Sequence, residues 1–129
     1  MEGIGNHRQT IGRAGEDATC RFLESMGHTI LERNWRYGHL EIDIISFDPQ
    51  GIHFVEVKTR KNSIQAPPQE NVNIQKQRRT ARAAKGYLRT SKGLKYGGHE
   101  CLFDIAAVTF TGDKAHIEWL PQAFIPIYL

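Results

Sequence analysis

Asp43, Glu56 and Lys58 are the residues of this sequence best placed to do chemistry together. The stretch Leu40-Glu41-Ile42-Asp43-Ile44-Ile45-Ser46-Phe47 runs into Asp48-Pro49-Gln50-Gly51 and returns as Ile52-His53-Phe54-Val55-Glu56-Val57-Lys58-Thr59. Both arms are rich in β-branched and aromatic residues and are bounded by Pro and Gly, which predicts a β-hairpin. Side chains alternate faces along a strand, so Glu41 shares a face with Asp43, and Glu56 shares one with Lys58. A loop of even length sets Asp43 opposite Glu56 and Glu41 opposite Lys58, all on one side. Two carboxylates about 4 Å apart repel by roughly 4 kcal/mol at an effective dielectric of about 20. Such a pair needs a proton, an amine or a metal ion, and a divalent metal is the preferred reading. The rival is a three-residue loop closed by a left-handed glycine bulge, which pairs Asp43 with Val57 and sends Asp43 and Glu56 to opposite faces.

The chemistry follows from the residue types. Two carboxylates and a backbone carbonyl are hard oxygen ligands suited to Mg²⁺ or Mn²⁺. A metal held by Asp43 and Glu56 can acidify water and offset charge on a phosphoryl oxygen. Lys58 then projects beside the same site to orient the attacking water and stabilise the transition state. Glu41 is the expected partner that holds the Lys58 amine.

The elements around the hairpin are expected to position it. Ile11, Ala14, Ala18, Phe22 and Met26 follow helical spacing, with Thr10 as cap and Gly27 as terminator. Glu16 lies near the start of this helix, either as a surface acid favoured by the helix dipole or leaning toward the hairpin. Thr29–Trp35 reads as a strand, and 36–39 as the turn into the hairpin. His39 there is read as a solvent-facing turn histidine. Pro67 and Pro68 mark a loop over 63–69 that could close over a substrate. A basic helix follows from Val72 to Ser91, with Ile74, Ala81, Ala84 and Leu88 as a narrow apolar stripe. Cys101–Phe110 is apolar nearly throughout, as a central strand covered on both faces is, and Ala115–Leu120 is a last strand. The expected fold is α/β: a central mixed five-stranded sheet flanked by helices, in the order α-β-β-β-α-β-β.

Length and charge narrow the function. At 129 residues the chain is expected to form a single domain over 1–129, with 1–10 and 121–129 peripheral. No apolar run approaches a membrane span. Two cysteines, Cys20 and Cys101, make no disulfide framework, so a reducing cytoplasm is expected. The net charge is only +3, but eleven Lys or Arg lie between Lys58 and Lys95 beside one acid, Glu70. Arg60, Lys61, Lys76, Arg78, Arg79 and Arg82 from this segment are expected to contact DNA phosphates. A solvated, charge-rich helix is the bland alternative.

The phrase Phe54-Val55-Glu56-Val57-Lys58-Thr59-Arg60, with its place in the element order, resembles the PD-(D/E)xK nuclease superfamily. More closely, the chain resembles the YraN-like family of predicted endonucleases, similar in fold to Holliday-junction resolvases. The resemblance spans about residues 8 to 120 and includes Gly12-Arg13-Ala14-Gly15-Glu16, Arg33-Asn34-Trp35, Glu41-Ile42-Asp43, Lys76-Gln77-Arg78-Arg79 and Phe103-Asp104. Leu40 stands where that family usually has Gly, and Leu102 where it often has Arg. The resemblance implies a restriction-endonuclease-like fold, Asp43 and Glu56 as metal ligands, Lys58 as the catalytic amine and a supporting acidic role for Glu16. The expected activity is metal-dependent hydrolysis of DNA phosphodiester bonds, branched or structured DNA included, with a homodimer conceivable. The alternative is a nucleic-acid-binding module that keeps the fold without cutting.

Overall fold

The structure, a computed structural model, describes residues 4–60 and 73–124, with side chains from Thr10 onward. Its elements are α1 (Ile4–Ser25), β1 (Thr29–Tyr37), β2 (Leu40–Asp48), β3 (Gly51–Arg60), α2 (Ile74–Leu88), β4 (Cys101–Thr111) and β5 (Lys114–Leu120). The strands form one sheet in the order β1-β2-β3-β4-β5. Only β3 and β4 run parallel, and α2 is carried in the crossover between them. This is the α/β arrangement expected from the sequence, a five-stranded mixed sheet flanked by two helices, consistent with a restriction-endonuclease-like fold.

Each face of the sheet buries its own cluster. Ile42, Ile45, Ile52, Phe54 and Phe103 pack against Ala83, Ala84 and Tyr87 of α2. On the other side Ile44, Val55 and Ala106 pack against Cys20 and Leu23 of α1. The small alanines of α2 let its backbone approach the sheet closely. Close approach on the α1 side depends on Gly15, where a Cβ would collide with Thr59 Oγ1 on β3. Gly15 thereby seats its neighbour Glu16 beside the hairpin.

Element boundaries differ from expectation: β1 runs on to Tyr37, so Arg36 and Tyr37 are strand rather than turn, α2 ends at Leu88 rather than Ser91, and both helices start elsewhere than expected. Helix α1 begins at Ile4 rather than after Thr10, so Thr10 lies inside the helix instead of capping it. The polar residues before Ile11 carry no apolar stripe, so periodicity could not mark them as helical. Helix α2 starts later than Val72, at Ile74, where the Asn73 side chain accepts a 2.8 Å hydrogen bond from the Lys76 amide. The loop 63–69 and Lys61 lie outside the described residues.

Candidate active site

The hairpin turn has an even loop. Asp48 pairs with Gly51, and the register continues through Phe47–Ile52, Ser46–His53 and Ile45–Phe54 to Ile44–Val55. The three-residue alternative is not what forms. Yet the pairing goes no further, and Asp43 and Glu56 are not a backbone pair. Instead the Val57 amide donates to Asp43 Oδ2 at 2.8 Å, so the carboxylate takes the place of a ladder carbonyl between β2 and β3.

An irregularity on the neighbouring strand accompanies this break. Asn34 has φ of 51°, a left-handed conformation that Asn tolerates better than most residues. Asn34 and Asp43 both drop out of the β1–β2 ladder between the Arg33–Ile44 and Trp35–Ile42 pairs. Strand alternation slips there. Ile42, expected on the same face as Ile44, packs instead with Ile45 and Phe54 under α2.

Asp43 and Glu56 line one cleft of about 230 Å³ with Glu41, Ile42, Val55, Lys76 and Thr80. A second cleft of about 400 Å³, lined by His39, Leu40, Glu41, Lys76, Arg79 and Thr80, shares three of these residues and continues the first outward. Burial raises the Asp43 carboxyl from 3.8 to about 7; the Val57 amide opposes this, and Glu56, Glu16 and Glu41 add to it. Lys58 Nζ lies 3.7 Å from Glu56 Oε1. Burial lowers the Lys58 pKa, and the Glu56 charge only partly restores it against the nearby Lys76. Lys76 reaches down from α2 and forms a second ion pair with Glu56 Oε1.

The other expected site residues fall as follows. Glu16 is half-buried; its Oε1 accepts from Asn34 Nδ2 at 3.0 Å and faces Arg33 at 3.8 Å. It holds Asn34, not Lys58. Glu41 corrects the sequence reading, because its ion pair is with Arg36 across β1 at 3.6 Å and not with Lys58. The opening of β2 from β3 at Asp43 removes Glu41 from reach of Lys58, while β1 remains paired beside it. Arg60 is half-buried at the end of β3, and Arg78, Arg79 and Arg82 are exposed on α2. Lys76, expected from the sequence as a phosphate contact, pairs with Glu56 beside the cleft.

The donor set fits a hard divalent cation. Two carboxylates share a cleft, one of them raised to about 7 by burial and three neighbouring acids, and its Oδ2 already caps an amide. Asp43 and Glu56 would hold such an ion.

Sequence reasoning missed a second cluster at the turn end of the hairpin. His28, Asp48 and His53 place their ligand-type atoms within 4.8 Å of one another. His53 Nδ1 bonds Asp104 Oδ2 and its Nε2 bonds Asp48 Oδ1, both at 2.7 Å. Burial would lower the His53 pKa, but the two aspartates outweigh it and raise it. Burial and the His53 charge lower that of His28. The one signal available beforehand was a histidine, His53, within the apolar start of its arm, Ile52-His53-Phe54-Val55.

Comparison with known proteins places the chain. Residues 15–108 match a family described as the uncharacterised protein family UPF0102. A UPF0102 protein of Bacteroides thetaiotaomicron is 39% identical over 116 residues, covering 90% of this chain and 93% of that one. A UPF0102 protein of Geobacter metallireducens is 39% identical over 118 residues, covering 92% and 94%. One of Dictyoglomus turgidum is 39% identical over 120 residues, covering 92% and 99%. The matched span holds Glu16, Asp43, Glu56, Lys58, Asp104 and all of α2, and on these grounds the protein belongs to the UPF0102 family of YraN-like proteins.

Proposed function

We propose that the protein is a metal-dependent endonuclease that hydrolyses DNA phosphodiester bonds, branched or structured DNA included. The observation that carries this reading is the shared cleft: Asp43 and Glu56 line it, Lys58 pairs with Glu56, and the basic helix α2 forms its rim. A bound Mg²⁺ or Mn²⁺ supplies Lewis acidity toward a phosphoryl oxygen and acidifies water. Asp43 and Glu56 hold the ion. Lys58 Nζ orients the water that attacks phosphorus and neutralises charge on the non-bridging oxygens. Arg79 and Arg82, exposed on α2, grip the phosphates flanking the cut, and Arg78 of the same helix lies alongside them. Glu16 acts through Asn34, whose left-handed backbone opens the ladder for Asp43.

Two strands are cut most simply by two such sites, so a homodimer belongs to the proposal. The two free cysteines, Cys20 and Cys101, suit a reducing cytoplasm. Among the described residues no helix is long and apolar enough to cross a membrane.

One observation favours the second reading, a binding module without catalysis. Lys58 and Lys76 both pair with Glu56, so this carboxylate is neutralised without a metal. Wild type and Asp43→Ala, Glu56→Ala and Lys58→Ala variants, assayed on linear, flapped and four-way-junction DNA with Mg²⁺, Mn²⁺ or EDTA, separate the two. A nuclease loses cutting in each variant and in EDTA. Salt-sensitive binding with no cutting in any metal identifies the module.

A further inference from the structure

We infer that His28, Asp48 and His53 form a second metal site, a His₂Asp centre for a zinc-class dication that pins together the end of the sheet remote from the cleft. The three residues come from separate segments: His28 follows α1, Asp48 ends β2, and His53 lies near the start of β3. His28 Nε2 lies 3.4 Å from Asp48 Oδ2, and His53 Nε2 lies 2.7 Å from Asp48 Oδ1. Four ligands at about 2.0–2.1 Å in a tetrahedron stand roughly 3.3 Å apart. The two contacts fall on different oxygens of Asp48, so seating one ion draws both Nε2 atoms toward a single carboxylate oxygen, from ligand atoms that already lie within 4.8 Å of one another.

What distinguishes this cluster from a chance polar knot is the orientation of both imidazoles. A metal-bound histidine donates its other ring N–H to an acceptor that fixes tautomer and ring angle. His53 Nδ1 meets Asp104 Oδ2 at 2.7 Å, and His28 Nδ1 meets Ser46 Oγ at 2.9 Å. In each ring the outer nitrogen is occupied and Nε2 is turned toward Asp48. The supports are themselves fixed: Ser46 is fully buried, Asp104 is nearly so, and Asp104 Oδ1 accepts from the Gln122 amide at 2.8 Å. Trp119 stands nearly perpendicular to the His28 ring, with centroids 6.2 Å apart.

Charge points the same way. Asp48 and Asp104 bring two negative charges, and among the described residues no lysine or arginine pairs with either. A dication held by the two Nε2 atoms offsets both carboxylate charges, with Nδ1–H of His53 kept on Asp104 and any proton on Nε2 leaving to solvent. Two nitrogens and one carboxylate oxygen suit Zn²⁺, with Co²⁺ as its spectroscopic substitute, and water completes the fourth position. Along β2 Asp48 lies five residues from Asp43, about 17 Å, and along β3 His53 lies three residues from Glu56, about 10 Å, so neither cluster shares a ligand with the other.

The test uses the full chain, freed of metal by chelator and dialysis, then titrated with Zn²⁺ or Co²⁺. One equivalent of Co²⁺ is expected to give the visible bands of a tetrahedral site. One equivalent of Zn²⁺ should shift the Nε2 resonances of His28 and His53 and raise the melting temperature. His28→Gln should weaken Zn²⁺ binding by more than about 100-fold, and Asp104→Asn by about 10–100-fold. Asp43→Ala and Glu56→Ala should bind this equivalent unchanged. The inference is overturned if His28 and His53 resonances do not move on adding Zn²⁺, which marks the cluster as a proton-bearing network. It is equally overturned if Asp43→Ala or Glu56→Ala abolishes the binding while folded His28→Gln keeps it. The wild-type resonances decide the matter even where a variant does not fold.

Discussion

At the scale of single residues, Asp43 is the most revealing, because what suits it to its site opposes folding. Its carboxyl binds a proton more tightly in the folded protein, near 7, than in the unfolded chain, near 3.8. The stability it contributes is complete below about pH 4 and is lost as the pH rises through 7, by at most about 4 kcal/mol. Asp43→Asn keeps an oxygen for the Val57 amide and removes the charge. At pH 8 in EDTA it should therefore raise stability by about 1–3 kcal/mol in thermal melts, with the gain vanishing at pH 4. Magnesium should reverse the ranking, since ligand bound only by the native state stabilises wild type alone. Lys76 gives a second expectation. It occupies Glu56 Oε1 in the absence of a cation. Lys76→Ala should tighten Mg²⁺ binding several-fold in calorimetry, by removing a competitor, while weakening DNA binding. Weaker Mg²⁺ binding would mean that Lys76 supports the site instead.

At the scale of elements, the hairpin was largely legible and its distortion was not. Alternating apolar residues around Asp48-Pro49-Gln50-Gly51 gave two strands in the right register as far as Ile44–Val55. No sequence signal showed that Asn34 would adopt φ of 51° on the neighbouring strand and free Asp43 from the ladder. The Ile42 face change coincides with that break, whereas Glu41 meets Arg36 simply as its cross-strand partner in the β1–β2 register. Glu16 was legible only as an acid near a helix start; its role comes from Gly15, which seats α1 against Thr59. Gly15→Ala should cost about 1–3 kcal/mol, since the added methyl overlaps a β-branched side chain. The double variant Gly15→Ala/Thr59→Ala should recover most of that loss, a coupling readable in a double-mutant cycle. Strict additivity would place the cost elsewhere.

Across the whole molecule, charge is segregated. The clefts open beside α2, where Arg79, Arg82, Lys85 and Arg89 are exposed and Arg78 adds a further cation. The opposite end of the hairpin is buried around His28, His53 and Asp104. The basic segment was plain in the sequence, because composition alone displays it. The histidine cluster was hidden, because His28, His53 and Asp104 are far apart in the chain and meet only through the sheet. DNA binding should weaken steeply with salt, and Arg79→Ala/Arg82→Ala should reduce the log–log slope by about 1–2 for duplex DNA. An unchanged slope would move the DNA-binding face off α2.

The central claim is that Lys58 works on a phosphodiester held at Asp43 and Glu56. Its most direct test is a single-turnover cleavage rate on four-way-junction DNA in Mn²⁺, with protein in saturating excess so that binding does not enter. Lys58→Met, which keeps most of the length of the side chain without its charge, is predicted to bind the junction as wild type does and to cut at least about 100-fold more slowly. Equal rates for the two proteins, or a wild type that binds the junction and never cuts it, would contradict the account.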